Sequence, residues 1–536
     1  MRRSDPSPQY DYIVVGAGSA GCAVAARLAE SGRHRVLLLE AGPVDRSPWI
    51  HLPIGYARTM FHPVLNWGFH TEPEPHMSQR RIYWPRGRCL GGSSSINGLI
   101  YIRGQAEDYD GWAAQGNDGW AWRDVLRYFV RAEDNGRGAS PLHGAGGPLH
   151  VSDIGARHEL MDAIIAGAGE LGVPRNDDFN GAAQEGVGYY QLTARNGLRS
   201  SAAGYLKAAR RRGNLSVVTG AQATRILFSG QRASGIRYIQ GGRERTAACA
   251  RELILSAGAV QSPQLLELSG IGDAARLARL GIPVTHHLPG VGENLQDHLQ
   301  LRLMYRVARP ITTNDDLRTL AGRLRIGLQW LFRRSGPLAV GINQGGLFAR
   351  VLPEAARPDV QFHFGTVSAD QAGARPHAWS GCTFSVCQLR PESRGEVHVR
   401  SADPTAPPAI RPRYLAAERD RRTALAALRF ARQLADTAAL RPYLVDEYRP
   451  GRDVASDDAL LQFARDHGAT IFHPVGTCRM GRDADAVVDA RLRVRGVAGL
   501  RVADASIMPD IVSGNTNAPA IMIGEKAADM ILEDAA

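Results

Sequence analysis

Tyr10-Asp11-Tyr12-Ile13-Val14-Val15-Gly16-Ala17-Gly18-Ser19-Ala20-Gly21-Cys22 is the stretch whose reading decides the fold. A β-branched run enters a glycine-rich turn, and an alanine-rich helical pattern leaves it. Gly16, Gly18 and Gly21 satisfy G-x-G-x-x-G. The first glycine permits a tight turn. The second lets backbone N–H groups approach a pyrophosphate, and the third lets helix and strand pack closely. The helix N-terminus adds unpaired donors and a partial positive charge. A second strand, Arg35-Val36-Leu37-Leu38-Leu39-Glu40, ends in an acid 19 positions after Gly21. A ribose-binding carboxylate belongs at about that spacing. Together these features predict a dinucleotide-binding α/β domain, without saying which dinucleotide.

The chain has 536 residues, more than one hydrophobic core supports, so two or more domains are expected. Its net charge is +11, but only Lys207 and Lys526 are lysines, and the arginines are scattered. No aromatic stacking platform or zinc-finger spacing accompanies them, which argues against nucleic acid. Cys22, Cys89, Cys249, Cys382, Cys387 and Cys478 form neither C-x-x-C nor any other metal-ligand spacing. They read as reduced thiols, no metal site is expected, and a cytoplasmic setting is favoured. Met1-Arg2-Arg3 is followed by Asp5, Pro6 and Pro8 rather than an apolar run, so no signal peptide is expected.

Further along, Gly87 to Gly98 is a Gly/Ser turn rich in backbone donors, a second candidate contact for a phosphate or a ring system. Trp112 to Ala132 reads as one helix. Glu252 to Gly258 reads as a short buried strand leading into a helix at Pro263–Leu268. From about residue 300 the texture changes. Val360–Phe364, Thr383–Val386 and Gly395–Val399 read as strands of one antiparallel sheet. Ile311 to Arg334 mixes leucines with arginines at helical spacing. It is either a core-packed helix with a solvated face or a peripheral contact with the inner face of the membrane. Near the end lie Phe472-His473-Pro474-Val475-Gly476, then Ala503-Asp504-Ala505-Ser506, then Ser513-Gly514-Asn515-Thr516-Asn517-Ala518-Pro519.

With Gly16–Gly21, Glu40, Gly87–Asn97, Ser256–Gly272, His473-Pro474 and Gly514–Pro519 in this order, the chain resembles the glucose–methanol–choline oxidoreductases. Among them it is most similar to bacterial alcohol and choline dehydrogenases. The resemblance implies FAD rather than NAD. It implies a Rossmann-like α/β FAD-binding domain, discontinuous over residues 1–154, 196–298 and 465–536. An α+β substrate domain with an antiparallel sheet would occupy 155–195 and 299–464. It places Gly16, Gly18 and Gly21 at the pyrophosphate and Glu40 at the ribose. Arg88, Gly91, Gly92, Ser93 and Asn97 would stand near the flavin and Ala223 at the adenine. Asp504, Ala505 and Asn515 would lie on the C-terminal cofactor segment. Some family oxidases attach the flavin to a histidine at the position of Ile96, so non-covalent FAD is expected here.

Oxidising an alcohol requires removal of the hydroxyl proton and of the α-carbon hydride, the latter to flavin N5. The resemblance makes His473 the base and Asn517 the residue that orients the same oxygen. An imidazole suits the task because it titrates near neutrality. His363, His398 and His467 read as structural histidines, and Cys478 as packing. The resemblance places a glutamate in several dehydrogenase relatives where this chain has Gln344; a neutral amide there disfavours a cationic substrate, and an uncharged primary alcohol is expected. A quinone or another non-oxygen acceptor is expected to take the electrons. The alternatives are a peroxide-forming oxidase, a choline dehydrogenase and a hydroxynitrile lyase that holds FAD without net redox chemistry.

Overall fold

The computed structural model describes residues 9–371 and 373–535. The opening strand, Gln9–Val15, lies at the centre of a seven-stranded sheet. It pairs in parallel with Val36–Leu39 on one side and with the end of Arg243–Leu255 on the other. Leu215–Val218 extends the parallel part beyond Val36–Leu39, and Leu500–Val502 pairs beside Leu255. Residues 13–15 and Val36–Leu39 are apolar and fully buried, as parallel strands covered on both faces should be. Arg243–Leu255 is long enough to serve twice. Its first half joins the antiparallel meander Ala221–Ser229 and Arg232–Gln240, and its second half enters the parallel core.

Helix Ser19–Glu30 leaves the glycine turn and packs against the last helix, Asn517–Asp534. The contact is close: a Cβ on Gly524 would stand 2.4 Å from the Ala20 carbonyl oxygen. The buried Glu525 of the last helix accepts from Arg27, Arg131 and the Tyr205 hydroxyl, tying three segments to it. A buried charge is tolerable only when paired in this way.

The second sheet is antiparallel throughout. Its order is Leu444–Arg449, Leu299–Val307, Gly381–Gln388, Val360–Gly365, Asn343–Ala349 and Gly186–Tyr189, with Ala469–Thr470 paired to Leu299–Gln300. One face is apolar: Leu301, Leu303, Phe384, Val386, Phe362 and Leu347 share a core with Leu428, Ala431 and Leu434 of helix Glu418–Ala435. The opposite face carries Gln300, Arg302, Ser385, Gln361 and His363.

Three details differ from the sequence expectations. Trp112–Ala132 is not one helix but two, Ala106–Ala114 and Trp122–Ala132. Gly116 and Gly119 sit between them with positive φ and turn the chain. Glu396–His398 pairs with Ala409–Arg411 outside the antiparallel sheet. Residues 311–334 divide into Thr313–Arg318 and Leu320–Arg333.

Candidate active site

A cavity of about 810 Å³ runs between the two sheets. At one end its wall is mostly main chain. Gly16 has φ +99°, and a Cβ there would meet the Ser256 carbonyl oxygen at 2.5 Å. A Cβ on Gly21 would lie 1.9 Å from the Gly16 carbonyl oxygen, so only glycine lets the helix sit this close. The Gly/Ser turn closes from above: Gly91 N donates to Ala17 O at 2.8 Å, and Gly92 (φ +53°) would place a Cβ 2.7 Å from Gly18 Cα. Glu40 accepts from Ala17 N at 3.0 Å and Gly42 N at 2.8 Å. Burial outweighs these donors and pushes its pKa up to about 7.

Gly16, Gly18, Glu40, Gly92, Ser93, Asn97, Ala223, Asp504, Ala505 and Asn515 all line this cavity. Gly21, Arg88 and Gly91 stand behind the wall. Arg88 stacks its guanidinium on Trp67, with 4.6 Å from its central carbon to the ring centre. Ser93 Oγ accepts from Gly87 N, and Asn97 Oδ1 accepts from the buried Arg199 at 2.6 Å. Asp504 accepts from Gly258 N, Ser262 Oγ and Ser506 N, fixing the turn at the head of helix Gly258–Leu268. The donor-rich glycine cradle, the buried acid at the second strand's end and the length of the cavity fit a dinucleotide.

The other end is built from side chains. His473 N donates to Asp297 Oδ1 at 2.7 Å, which fixes the backbone. Its ring joins a chain whose proton order is set at its far end. His298 Nε2 stands 3.0 Å from the Leu389 carbonyl oxygen, an acceptor only, so Nε2 carries the proton. His298 Nδ1 therefore accepts from His473 Nδ1, 3.0 Å away. His473 Nε2 is left with its lone pair, facing Asn515 Nδ2 at 3.2 Å. Gln361 Nε2 in turn donates to Asn515 Oδ1 at 3.1 Å and to Tyr190 Oη at 3.0 Å. Burial, reinforced by His298, His363 and Arg86, holds the His473 pKa well below the ordinary histidine range. Burial lowers His298 to about 4 and His363 to about 3.

Asn517 is not brought to His473. It is the first residue of the last helix, and its Oδ1 accepts from Ser19 Oγ at 2.7 Å, beside the glycine turn. Asn515 occupies the position the sequence reading gave to Asn517. Two residues of offset at a helix start turn the side chains to different ends of the cavity. Gln344 also departs from expectation: it does not line the cavity, and its amide donates to Thr366 Oγ1. His363, read as structural, faces the cavity with neither ring nitrogen hydrogen-bonded among the described residues. Asp297, His298 and Gln361 were missed. Strict alternation in His298-Leu299-Gln300-Leu301-Arg302-Leu303 is the signal that marks a strand with one polar face.

Models of the GMC oxidoreductase family match residues 10–300 and 391–524. The chain belongs to the GMC oxidoreductase family. It is 44% identical to an alcohol dehydrogenase (acceptor) of Pseudomonas putida, over 98% of this chain and 96% of that protein. It is also 44% identical to the mitochondrial choline dehydrogenase of Mus musculus, over 98% and 89%. Among solved structures, pyridoxine 4-oxidase from Mesorbium loti matches with a TM-score of 0.88 and 32% identity, covering 97% of this chain and 98% of that one. This GMC protein is an FAD-dependent oxidoreductase acting on CH–OH donors.

Proposed function

We propose that the protein oxidises a primary alcohol to the aldehyde, with His473 as the base and a quinone or another non-oxygen acceptor taking the electrons. Bound FAD supplies the hydride acceptor. The observation that carries the reading is the unprotonated His473 Nε2 facing the cavity beside Asn515 Nδ2. His298 holds the Nδ1 proton, so the lone pair points at the substrate position. A hydroxyl placed between Nε2 and Nδ2 gives its proton to the first and accepts from the second. The low pKa keeps the ring neutral and ready to accept. Exclusion of a cation at the reacting end is supported by the lining, whose only carboxylates are Glu40 and Asp504. Non-covalent FAD is supported by Ile96, a lining residue with no nucleophilic atom.

The domain division expected from sequence belongs to the same reading, except that Ala469–Thr470 joins the second sheet. So does a peripheral membrane contact. Leu320, Leu324, Leu328, Leu331 and Phe332 of helix Leu320–Arg333 are all exposed, Leu320 by 83% and Phe332 by 78%. Arg323, Arg333 and Arg334 flank them without an acidic partner among the described residues. Leucines that enter lipid beside arginines that meet phosphate are the makings of an anionic-bilayer surface. No described helix is long and apolar enough to cross a membrane. All six cysteines are free and buried, in keeping with a cytoplasmic setting.

Anaerobic mixing with a panel of alcohols tests the chemistry. Bleaching of the flavin band is expected with primary alcohols, followed by reoxidation with a soluble quinone and little peroxide in air. An unbleached band with every alcohol would remove the reading. Co-sedimentation with phosphatidylglycerol vesicles, lost in Leu324→Ser/Phe332→Ser, tests the surface.

A further inference from the structure

The polar face of the antiparallel sheet holds a cluster that proton removal does not use. Arg302 pairs in register with Ser385, and Ser385 with His363, so the three form one row across three adjacent strands. All three line the cavity. Among the described residues Arg302 forms no ion pair, Ser385 Oγ has no hydrogen-bond partner, and both His363 nitrogens are unpartnered. Burial and the charge of Arg449 both act against the Arg302 cation. Arg449 itself is committed to Asp370 at 2.7 Å.

No carboxylate in the lining answers this guanidinium. Glu40 and Asp504 stand at the nucleotide end, each already accepting from backbone N–H groups. The other basic groups of the lining are accounted for or peripheral. Arg86 donates to the Pro85 and Phe472 carbonyls, and Arg58 stacks on Trp49. Arg323 and Arg375 are exposed. An uncompensated charge facing a cavity is costly unless a ligand brings its counter-charge.

We propose that Arg302, Ser385 and His363 form a subsite for a carboxylate at the non-reacting end of the substrate, so that the enzyme favours hydroxymethyl compounds carrying a carboxylate. One guanidinium, one hydroxyl and one imidazole match a monoanion: the fork takes two oxygens, and the neutral donors complete them. A phosphate dianion would remain under-compensated. The spacing is also set. Gln361, which holds Asn515, lies two residues before His363 on the same face. Two residues of strand are about 7 Å. The hydroxyl carbon and the carboxylate are therefore separated by about the width of a para-substituted benzene ring or a short alkyl chain. This narrows the uncharged alcohol read from the sequence to one uncharged only at its reacting end.

The kinetic arm of the test rests on the alcohol-oxidation reading; the binding arm does not. Kinetics compare 4-(hydroxymethyl)benzoate, 4-methylbenzyl alcohol and 4-(trimethylammonio)benzyl alcohol with the holoenzyme. The acid is expected to exceed the neutral alcohol in kcat/KM by about tenfold or more, mainly through KM, with the cation lowest. Arg302→Gln should bring acid and neutral alcohol within about twofold of each other, and Arg302→Lys should restore part of the difference. For binding, 4-methylbenzoate, which has no hydroxyl to oxidise, is titrated calorimetrically into the holoenzyme. It should bind wild type, about tenfold more weakly in Arg302→Gln and a few-fold more weakly in Ser385→Ala. Preference for the neutral alcohol in wild type, an equal loss for both alcohols in Arg302→Gln, or no binding of 4-methylbenzoate would overturn the subsite. Binding through Arg302 with no alcohol oxidised would uphold it and remove the oxidation reading instead.

Discussion

At the nucleotide end of the cavity the wall is main chain, and at the chemistry end it is side chain. The first is lined by Gly16, Gly18 and Gly92, and the missing Cβ atoms of Gly16, Gly21 and Gly92 let backbone segments approach within contact distance. The second is made by His473 and Asn515, held from behind by His298 and Gln361, side chains drawn from four segments far apart in the sequence. The cradle depends on conformation and close approach. The proposed chemistry depends on which nitrogen carries a proton. Substitutions at the two ends should therefore fail in different observables: FAD affinity at one, the rate of flavin reduction at the other.

The sharpest break comes from His473→Ala. Its ring supplies the only lone pair in the histidine chain that faces the cavity, so flavin reduction by alcohol should slow by about 10³-fold. FAD content should stay near one per chain, because His473 belongs to the other end. Rapid-mixing absorbance checks the rate, and the flavin-to-protein ratio checks the content. A variant that loses its flavin as well would show that the two ends are not separable.

The reverse break comes from Gly92→Ala. A Cβ would stand 2.7 Å from Gly18 Cα at a φ of +53°. Strain and displacement of the turn together cost roughly 2 kcal/mol, or ~30-fold in FAD affinity if it falls on the bound form. The molecules that retain FAD should reduce it within about threefold of the wild-type rate. Fluorescence titration of the apoprotein, followed by single-turnover reduction, separates the two quantities.

How much of this was legible in the sequence follows the same division. The cradle is written in consecutive residues, so Gly16–Gly21 and Glu40 could be read as a motif. The chemistry end could not be read that way. His298 lies 175 positions from the histidine it orients, and no local pattern links them. His363 resembled any core histidine, because only the folded sheet leaves its ring unpartnered. Asn517 was placed at the base and Asn515 among the cofactor contacts because both sit in one polar turn. Which of them faces His473 depends on where the last helix begins, and helix starts are poorly marked by sequence. The pair now tests the comparison within a single turn. Asn515→Ala should slow flavin reduction by about tenfold with FAD retained. Asn517→Ala should leave that rate within about twofold and weaken FAD several-fold, because it frees Ser19 at the phosphate turn.

The smallest effect concerns pH, and it distinguishes two groups at the same end. His473 must be neutral to accept a proton, and burial keeps its pKa well below the ordinary value. An unperturbed histidine, with a pKa of about 6.5, would lose half its activity as pH falls from 8 to 6.5. Here kcat/KM should fall by no more than about 1.3-fold over that interval, because the depressed pKa keeps the neutral fraction near one. An acid limb is expected from Asp297. Burial raises its pKa to about 6, against the opposing pull of Thr470, Tyr414, the His473 N–H and Arg86. Above pH 6 the carboxylate is ionised and holds the His473 backbone; below it, protonation weakens that hold. Asp297→Asn keeps an oxygen for the His473 N–H but cannot titrate. The variant should therefore lose the limb near pH 6 and extend the plateau toward lower pH. An acid limb left unmoved near pH 6 in Asp297→Asn would assign that titration to a histidine and break the separation between the base and the group that holds it.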